Sequence, residues 1–151
     1  MDSRHQFLIL MEQLAPLSGL TPIAARILGV LIFDGREMSF SELAQDLQVS
    51  RGSISTNTRM LADWHVIERV RKPGERQDHF RVAPEVFPQL LSEWARSATE
   101  AANAMRGIST SMPDTEAAPR DRIESFADLY ESMADAMAAS ATSMMGQDRE
   151  E

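Results

Sequence analysis

The stretch from Ser39 to Val82, SFSELAQDLQVSRGSISTNTRMLADWHVIERVRKPGERQDHFRV, constrains the fold more than any other part of the chain. Ser39 followed three residues on by Glu42 is the pattern of a reciprocal N-terminal cap, in which each side chain satisfies a backbone N–H of the other. It predicts a helix over FSELAQDL with Leu43, Ala44 and Leu47 facing inward. Ala44 is small, as the close crossing of two helices requires. Val49 falls in a turn, and Ser50 is placed to cap a second helix, RGSISTNTRMLADW, with Ile54 and Leu61 on its inner face. After His65, the run Val66-Ile67-Glu68-Arg69-Val70 alternates like a strand. Pro73-Gly74 marks a turn, Asp78 to Val82 returns as a second strand, and Pro84 closes the hairpin.

The flanks read as helix. Phe7, Leu10, Met11 and Leu14 have the spacing of an amphipathic helix over Asp2 to Leu17, ended by Pro16 and Ser18-Gly19. Thr21-Pro22 opens a helix, IAARILGVLIF, that is apolar nearly all round and expected to be buried, with Asp34-Gly35 closing it. Glu85 to Arg106 is predicted helical, with Phe87, Leu91, Trp94, Ala98, Ala101 and Met105 on one stripe, and Gly107 to Pro119 is predicted to be a loop. Ile123, Phe126, Tyr130, Met133, Met137, Ser140 and Met144 then alternate spacings of three and four, the pattern of a heptad seam. The expected class is mostly α with a small β-hairpin wing: a winged helix-turn-helix at 38–84, N-terminal helices at 1–37 for dimerisation and support of the module, C-terminal helices at 85–147 for dimerisation, and a tail at 148–151.

The formal charge of −8 runs against nucleic-acid binding until its distribution is considered. From Ser50 to Arg81 there are seven basic residues (Arg51, Arg59, Arg69, Arg71, Lys72, Arg76, Arg81) and four acidic ones (Asp63, Glu68, Glu75, Asp78), a net +3. From Gln89 to Glu151 five basic residues meet twelve acidic ones, a net −7. Screening over about 8–10 Å lets a basic face work beside an acidic body.

A helix fits the major groove of double-stranded DNA, where base edges carry a distinguishable hydrogen-bonding code. The first turns of the second helix offer Arg51, Gly52, Ser53, Ser55, Thr56, Asn57 and Arg59. Arg51, Thr56 and Asn57 are the residues expected to reach base edges. Ser53, Ser55 and Arg59 are expected to grip phosphate, and Gly52 to allow close approach. In the wing, Arg71, Lys72 and Arg76 flank the turn, and a cation there suits a narrow minor groove, with Arg76 the first choice. Glu75 or Asp78 is placed to orient Arg76 or Arg81 by an ion pair. A module of the same shape that pairs only with proteins is the alternative.

The runs SRGSIS and RMLADWHVIERVRKPGERQDHF resemble the winged-helix regulators of the GbsR branch of the MarR superfamily, and TPIAARILGVLIF resembles the helix that precedes the module there. The resemblance covers roughly residues 20 to 90. It implies a homodimeric bacterial transcription factor on a pseudo-palindromic operator, dimerising through its terminal helices and often controlled by a small ligand; the expected function is that of a DNA-binding regulator acting as a repressor. The chain departs from the pattern at Thr58, where a larger apolar residue is usual, and at His65, where glycine usually ends the helix. Gln77 and His79 also replace positions commonly basic and aromatic.

Other chemistry finds little footing. Cysteine is absent, and His5, His65 and His79 have no metal-ligand spacing, so neither metal nor cofactor is expected. No phosphate-binding glycine loop, nucleophile elbow or carboxylate pair points to an enzyme. No apolar run reaches the roughly 20 residues of a membrane span, no signal-peptide cleavage site follows the N-terminal patch, and a cytoplasmic protein is expected. The Met and aromatic stripe of the last helix has two readings. One is packing along a dimer seam of Ile123, Phe126, Tyr130, Met133, Met137 and Met144, and the other is an effector pocket lined by Trp94, Phe126 and Tyr130. Glu124, Asp128, Glu131 and Asp135 are expected on a solvated face.

Overall fold

A computed structural model describes residues 2–147 of the chain, so the tail at 148–151 lies outside the described residues. Two compact units divide between Val86 and Phe87. The first begins with α1 (Ser3–Ser18) and α2 (Pro22–Asp34). Asp2 caps α1 by accepting from the His5 N–H at 2.8 Å, and Gly19, at φ 66°, ends it in the left-handed conformation. The helix carries Pro16 in its last turn rather than stopping there. Its inner face is also displaced from the expected stripe. Leu8 and Ala15 are buried, whereas Leu10 and Leu14 are 47% and 40% exposed. Close packing on α2 selects the inward line: a Cβ added at Gly29 would lie 2.9 Å from Met11 Cγ and 3.0 Å from Leu8 Cδ2.

Thr21 caps α2 through the Ala24 N–H, and Ala24, Ala25, Ile27, Leu28, Val30 and Leu31 are buried, as their apolar run predicts. Arg4 ties three helices together. Its guanidinium grips both Asp34 oxygens at 2.9 Å and Asp46 at 2.9 Å, and this holds the Asp34 carboxyl below its ordinary range.

Then come β1 (Met38–Ser39), α3 (Phe40–Leu47), α4 (Arg51–Asp63), β2 (Ile67–Val70) and β3 (His79–Val82). Ser39 and Glu42 make the predicted reciprocal cap of α3. The strands form an antiparallel sheet in the order β1-β3-β2, with Ile67 opposite Val82 and Val70 opposite His79. Strand β1 has no signal of its own in the sequence. Its two residues extend because β3 pairs with them, Met38 opposite Phe80 and Ser39 opposite His79. Helix α4 ends in a left-handed cap at His65, φ 59°. There the His65 N–H donates to Ala62 and the Val66 N–H to Leu61, with Val66 and Leu61 both fully buried. A histidine occupies the backbone position that glycine fills most easily. Thr58 is buried too, its hydroxyl donating at 2.7 Å to the Ile54 carbonyl, so the polar group in the core is satisfied.

In the second unit, α5 (Val86–Ser111) and α6 (Ala117–Gln147) are joined by Met112, Pro113 and a 3-10 turn, Asp114–Glu116. The predicted loop at 107–119 is therefore mostly helix, because Gly107 is tolerated inside α5. The helices run antiparallel: Arg106 binds Asp128 at 2.8 Å and Glu131 at 2.7 Å, and the Ser109 hydroxyl donates to Glu124. Arg106 thus gathers carboxylates that the sequence placed on a solvated face. The buried residues of α6 are Ala127, Ala134 and Ala141, and α5 buries Ala95, Ala102 and Ser109 at the same seven-residue spacing. Continued along both helices, the ion-pair register brings Ala102 level with Ala134 and Ala95 level with Ala141. The predicted seam divides about this line. Ile123, Tyr130, Met137 and Met144 flank it half-buried, while Phe126 (51%) and Met133 (46%) are exposed. Phe87, at 54%, has left the expected α5 stripe.

Candidate nucleic-acid interface

The α3-turn-α4 corner with the β2–β3 hairpin is a winged helix-turn-helix. Helix α4 starts at a Ser50 cap that accepts the Ser53 N–H at 3.1 Å, and the Ser50 hydroxyl donates back to Ser53 Oγ at 3.0 Å. Ser53 is therefore engaged in the cap and only half-exposed. Ile54, Thr58 and Leu61 point inward. So does Asn57, which is 8% exposed. Its amide donates to the Ser53 carbonyl at 2.7 Å and accepts from the Thr21 hydroxyl, at the cap of α2. The expectation that Asn57 reads a base is thereby corrected: its polar group is spent on joining α4 to α2.

Gly52, Thr56 and Arg59 are exposed and Ser55 half-exposed. At Gly52 an added Cβ would meet nothing nearer than Ser50 Oγ, at 3.9 Å, so the fold itself makes no demand for glycine there. Arg51 is held. Its guanidinium lies 4.7 Å from the Phe40 ring centroid and donates to Ser41 Oγ at 3.4 Å.

The wing turns at Lys72-Pro73-Gly74-Glu75, where the Glu75 N–H donates to the Lys72 carbonyl at 3.1 Å and Gly74 has φ 80°. Proline followed by a positive-φ glycine is the chemistry of a type II turn. Gln77 accepts the Ser41 N–H at 3.1 Å, and the Asp78 carbonyl accepts the Phe40 N–H at 2.9 Å. Two bonds thus fasten the wing to the start of α3. Neither Phe40, Ser41 nor Gln77 was singled out by sequence as shaping this face. The visible signal was the departure at Gln77 from a basic position.

Most cations here already have partners. Asp78 sits between Arg69 (3.5 Å) and Arg71 (3.2 Å), Lys72 meets Glu37 at 3.1 Å, and Arg81 meets Glu68 at 2.7 Å and Glu37 at 3.6 Å. Glu75 pairs with His79 at 3.1 Å. The expected pairing of Glu75 or Asp78 with Arg76 or Arg81 is therefore not made. Lys72 is drawn towards Glu37, while Arg71 keeps 79% of its side chain exposed. Among the described residues of the module, Arg59 and Arg76 have neither an ion-pair nor a hydrogen-bond partner. Phe40, Arg51, Arg71, Glu75, Arg76, Gln77 and Asp78 line an open cleft of about 410 Å³ between the wing and the start of α4. The structure so brings together the first turn of α4 and the wing tip.

The other predicted site does not assemble. Phe126 and Tyr130 stack edge to face at 5.1 Å. The antiparallel register sets Trp94 roughly 20 Å further along the helix axis, at 1.5 Å per residue. Trp94, Phe126 and Tyr130 therefore do not line one pocket within the chain. Among the described residues no helix is long and apolar enough to cross a membrane, and no group of three His, Cys, Asp or Glu side chains could hold a metal ion.

Comparison with known proteins agrees with this architecture. No protein-family model matches the chain. It is 42% identical over 82 residues to the HTH-type transcriptional regulator MmpR5 of Mycobacterium tuberculosis, a match covering 54% of this chain and 50% of that protein. Over 82 residues it is 26% identical to the HTH-type transcriptional repressor OpcR of Bacillus subtilis, covering 54% and 44%. The chain thus spans about half the length of the curated relatives it matches. A solved transcriptional regulator superposes with a TM-score of 0.74 at 28% identity, over 96% of this chain and 99% of that one.

Proposed function

We propose that the chain is a DNA-binding transcriptional regulator, a repressor of the GbsR-like branch, that acts as a homodimer on a pseudo-palindromic operator. The observation that carries this reading is the pair of unpartnered arginines, Arg59 on α4 and Arg76 at the wing tip, on a module whose other cations are neutralised or pinned. An exposed, uncompensated guanidinium is available to a phosphate or a base edge without first breaking an ion pair. Both relatives are helix-turn-helix regulators, which supports the same reading.

Two modules bind better than one when their recognition helices are about 34 Å apart, one turn of DNA. Each unit carries apolar side chains suited to a second copy: Leu10, Leu14 and Leu17 on α1, and Phe126, Leu129 and Met133 on α6. A signal would act by shifting the population of dimers with the correct spacing.

The test is fluorescence anisotropy of a labelled duplex from the protein's own upstream region at two salt concentrations. Affinity should fall steeply with salt, and Arg76→Ala should weaken binding while light scattering still gives twice the chain mass. Binding that is absent, or insensitive to salt, would favour the module that pairs only with proteins.

A further inference from the structure

On the reading that the module binds DNA, we infer that Arg59 reads a guanine in each half-site, and is not one of the phosphate-gripping residues. The geometry of α4 carries this. At 100° per residue, Gly52, Ser55, Thr56 and Arg59 share one narrow face, opposite the buried line of Ile54 and Leu61. When a helix lies in the major groove, the middle of its outward face looks at the groove floor, where base edges are, and its flanks meet the walls, where phosphates run. Arg59 is in the middle of that face. Arg51 is about a quarter-turn round the helix from Gly52, on the flank, pinned over Phe40 beside the cleft that Arg71 and Arg76 also line. It belongs with the wall.

Three further observations agree. Gly52, Ser55 and Thr56 are small, and no internal packing accounts for Gly52, so the helix can sit deep enough for a long side chain to reach the floor. Asn57 and Ser53, the other polar residues of the first turns of α4, are committed within the protein. Asp63 lies one turn beyond Arg59 on the same face, exposed and unpaired with it, and a carboxylate there is unfavourable beside a phosphate. With Arg51 and Asn57 engaged, Arg59 is the long exposed donor left on the outward face. Guanine is the base that matches it, since its O6 and N7 accept the two parallel N–H groups of a guanidinium.

The experiment begins by selecting bound sequences from a random duplex library with the wild-type protein. The selected duplex, its single-base variants, Arg59→Ala and Arg59→Lys are then compared across a salt series. Wild type should prefer one guanine per half-site by roughly 10- to 100-fold. Arg59→Ala should lose that preference while the other positions keep theirs; Arg59→Lys, which keeps the charge without the planar fork, should reduce it, and its salt slope should match wild type. A loss with Arg59→Ala that is uniform across all sequences, with a slope smaller by about one, and wild-type preferences in Arg59→Lys, would show a phosphate contact and overturn the inference. It would leave the regulator reading intact. A wild-type protein that enriches no sequence and has no salt-dependent affinity overturns both.

Discussion

Replacing Asn57 by alanine separates two accounts of this residue. If its amide faced a base, the side chain would be exposed, and its removal would change stability by less than about 0.5 kcal/mol. In the structure it is buried and bonded to the Ser53 carbonyl and the Thr21 hydroxyl. Two such bonds contribute about 0.5–1.5 kcal/mol each, and alanine's better helix propensity returns about 0.5 kcal/mol, leaving a loss of about 0.5–2.5 kcal/mol. The protein has two tryptophans, so Trp94→Phe leaves Trp64, at the end of α4, as a fluorescent reporter of the first unit. In that background Asn57→Ala should lower the urea midpoint by roughly 0.25–1.25 M at a constant slope of about 2 kcal/mol/M. A double-mutant cycle with Thr21→Val should give a coupling of about 0.5–1.5 kcal/mol, because both changes remove the same bond. Operator preference should persist in the variant at temperatures where it is folded. An unchanged midpoint together with a lost base preference would refute the reasoning and return Asn57 to the DNA face.

Three other outcomes are expected. His65→Gly should raise stability by about 0.5–1 kcal/mol, since relief of the left-handed backbone exceeds the entropy glycine adds to the unfolded chain; a lower urea midpoint would contradict this. The Asp34 carboxyl is held below its ordinary 3.8 chiefly by its hydrogen bonds to Arg4, against a desolvation cost. Its contribution is therefore complete above the unfolded value and lost as pH falls through the lower, folded one. Arg4→Leu should flatten the fall in urea midpoint between about pH 5 and pH 3, and an unaltered profile would count against the clamp. Ala134→Leu should destabilise the second unit by about 1–3 kcal/mol through overpacking, whereas Met133→Leu, one residue away and exposed, should be nearly neutral in thermal melts of the full chain.

What the sequence determined by itself was chemistry of short range. Thr21, the Ser39–Glu42 pair and Ser50 cap their helices because a side-chain oxygen three residues from a free N–H has no other geometry to satisfy. Pro73-Gly74 makes its turn for a similarly local reason. The run from Ser39 to Val82 therefore announced its order of elements, and with it the helix-turn-helix and its wing. Tertiary structure decided whatever depends on a partner distant in sequence. Strand β1 exists because β3 pairs with it. Asn57 turns inward because Thr21, 36 residues away, meets it. Lys72 is neutralised because Glu37 reaches it across the sheet. The last helix shows the limit most plainly. Phe126 and Ala127, or Met133 and Ala134, belong to stripes one residue apart, and periodicity favours the larger side chains. Close packing of two helices favours the smaller ones, so the alanines took the buried line and the aromatic and Met side chains were left at its edges or in the open.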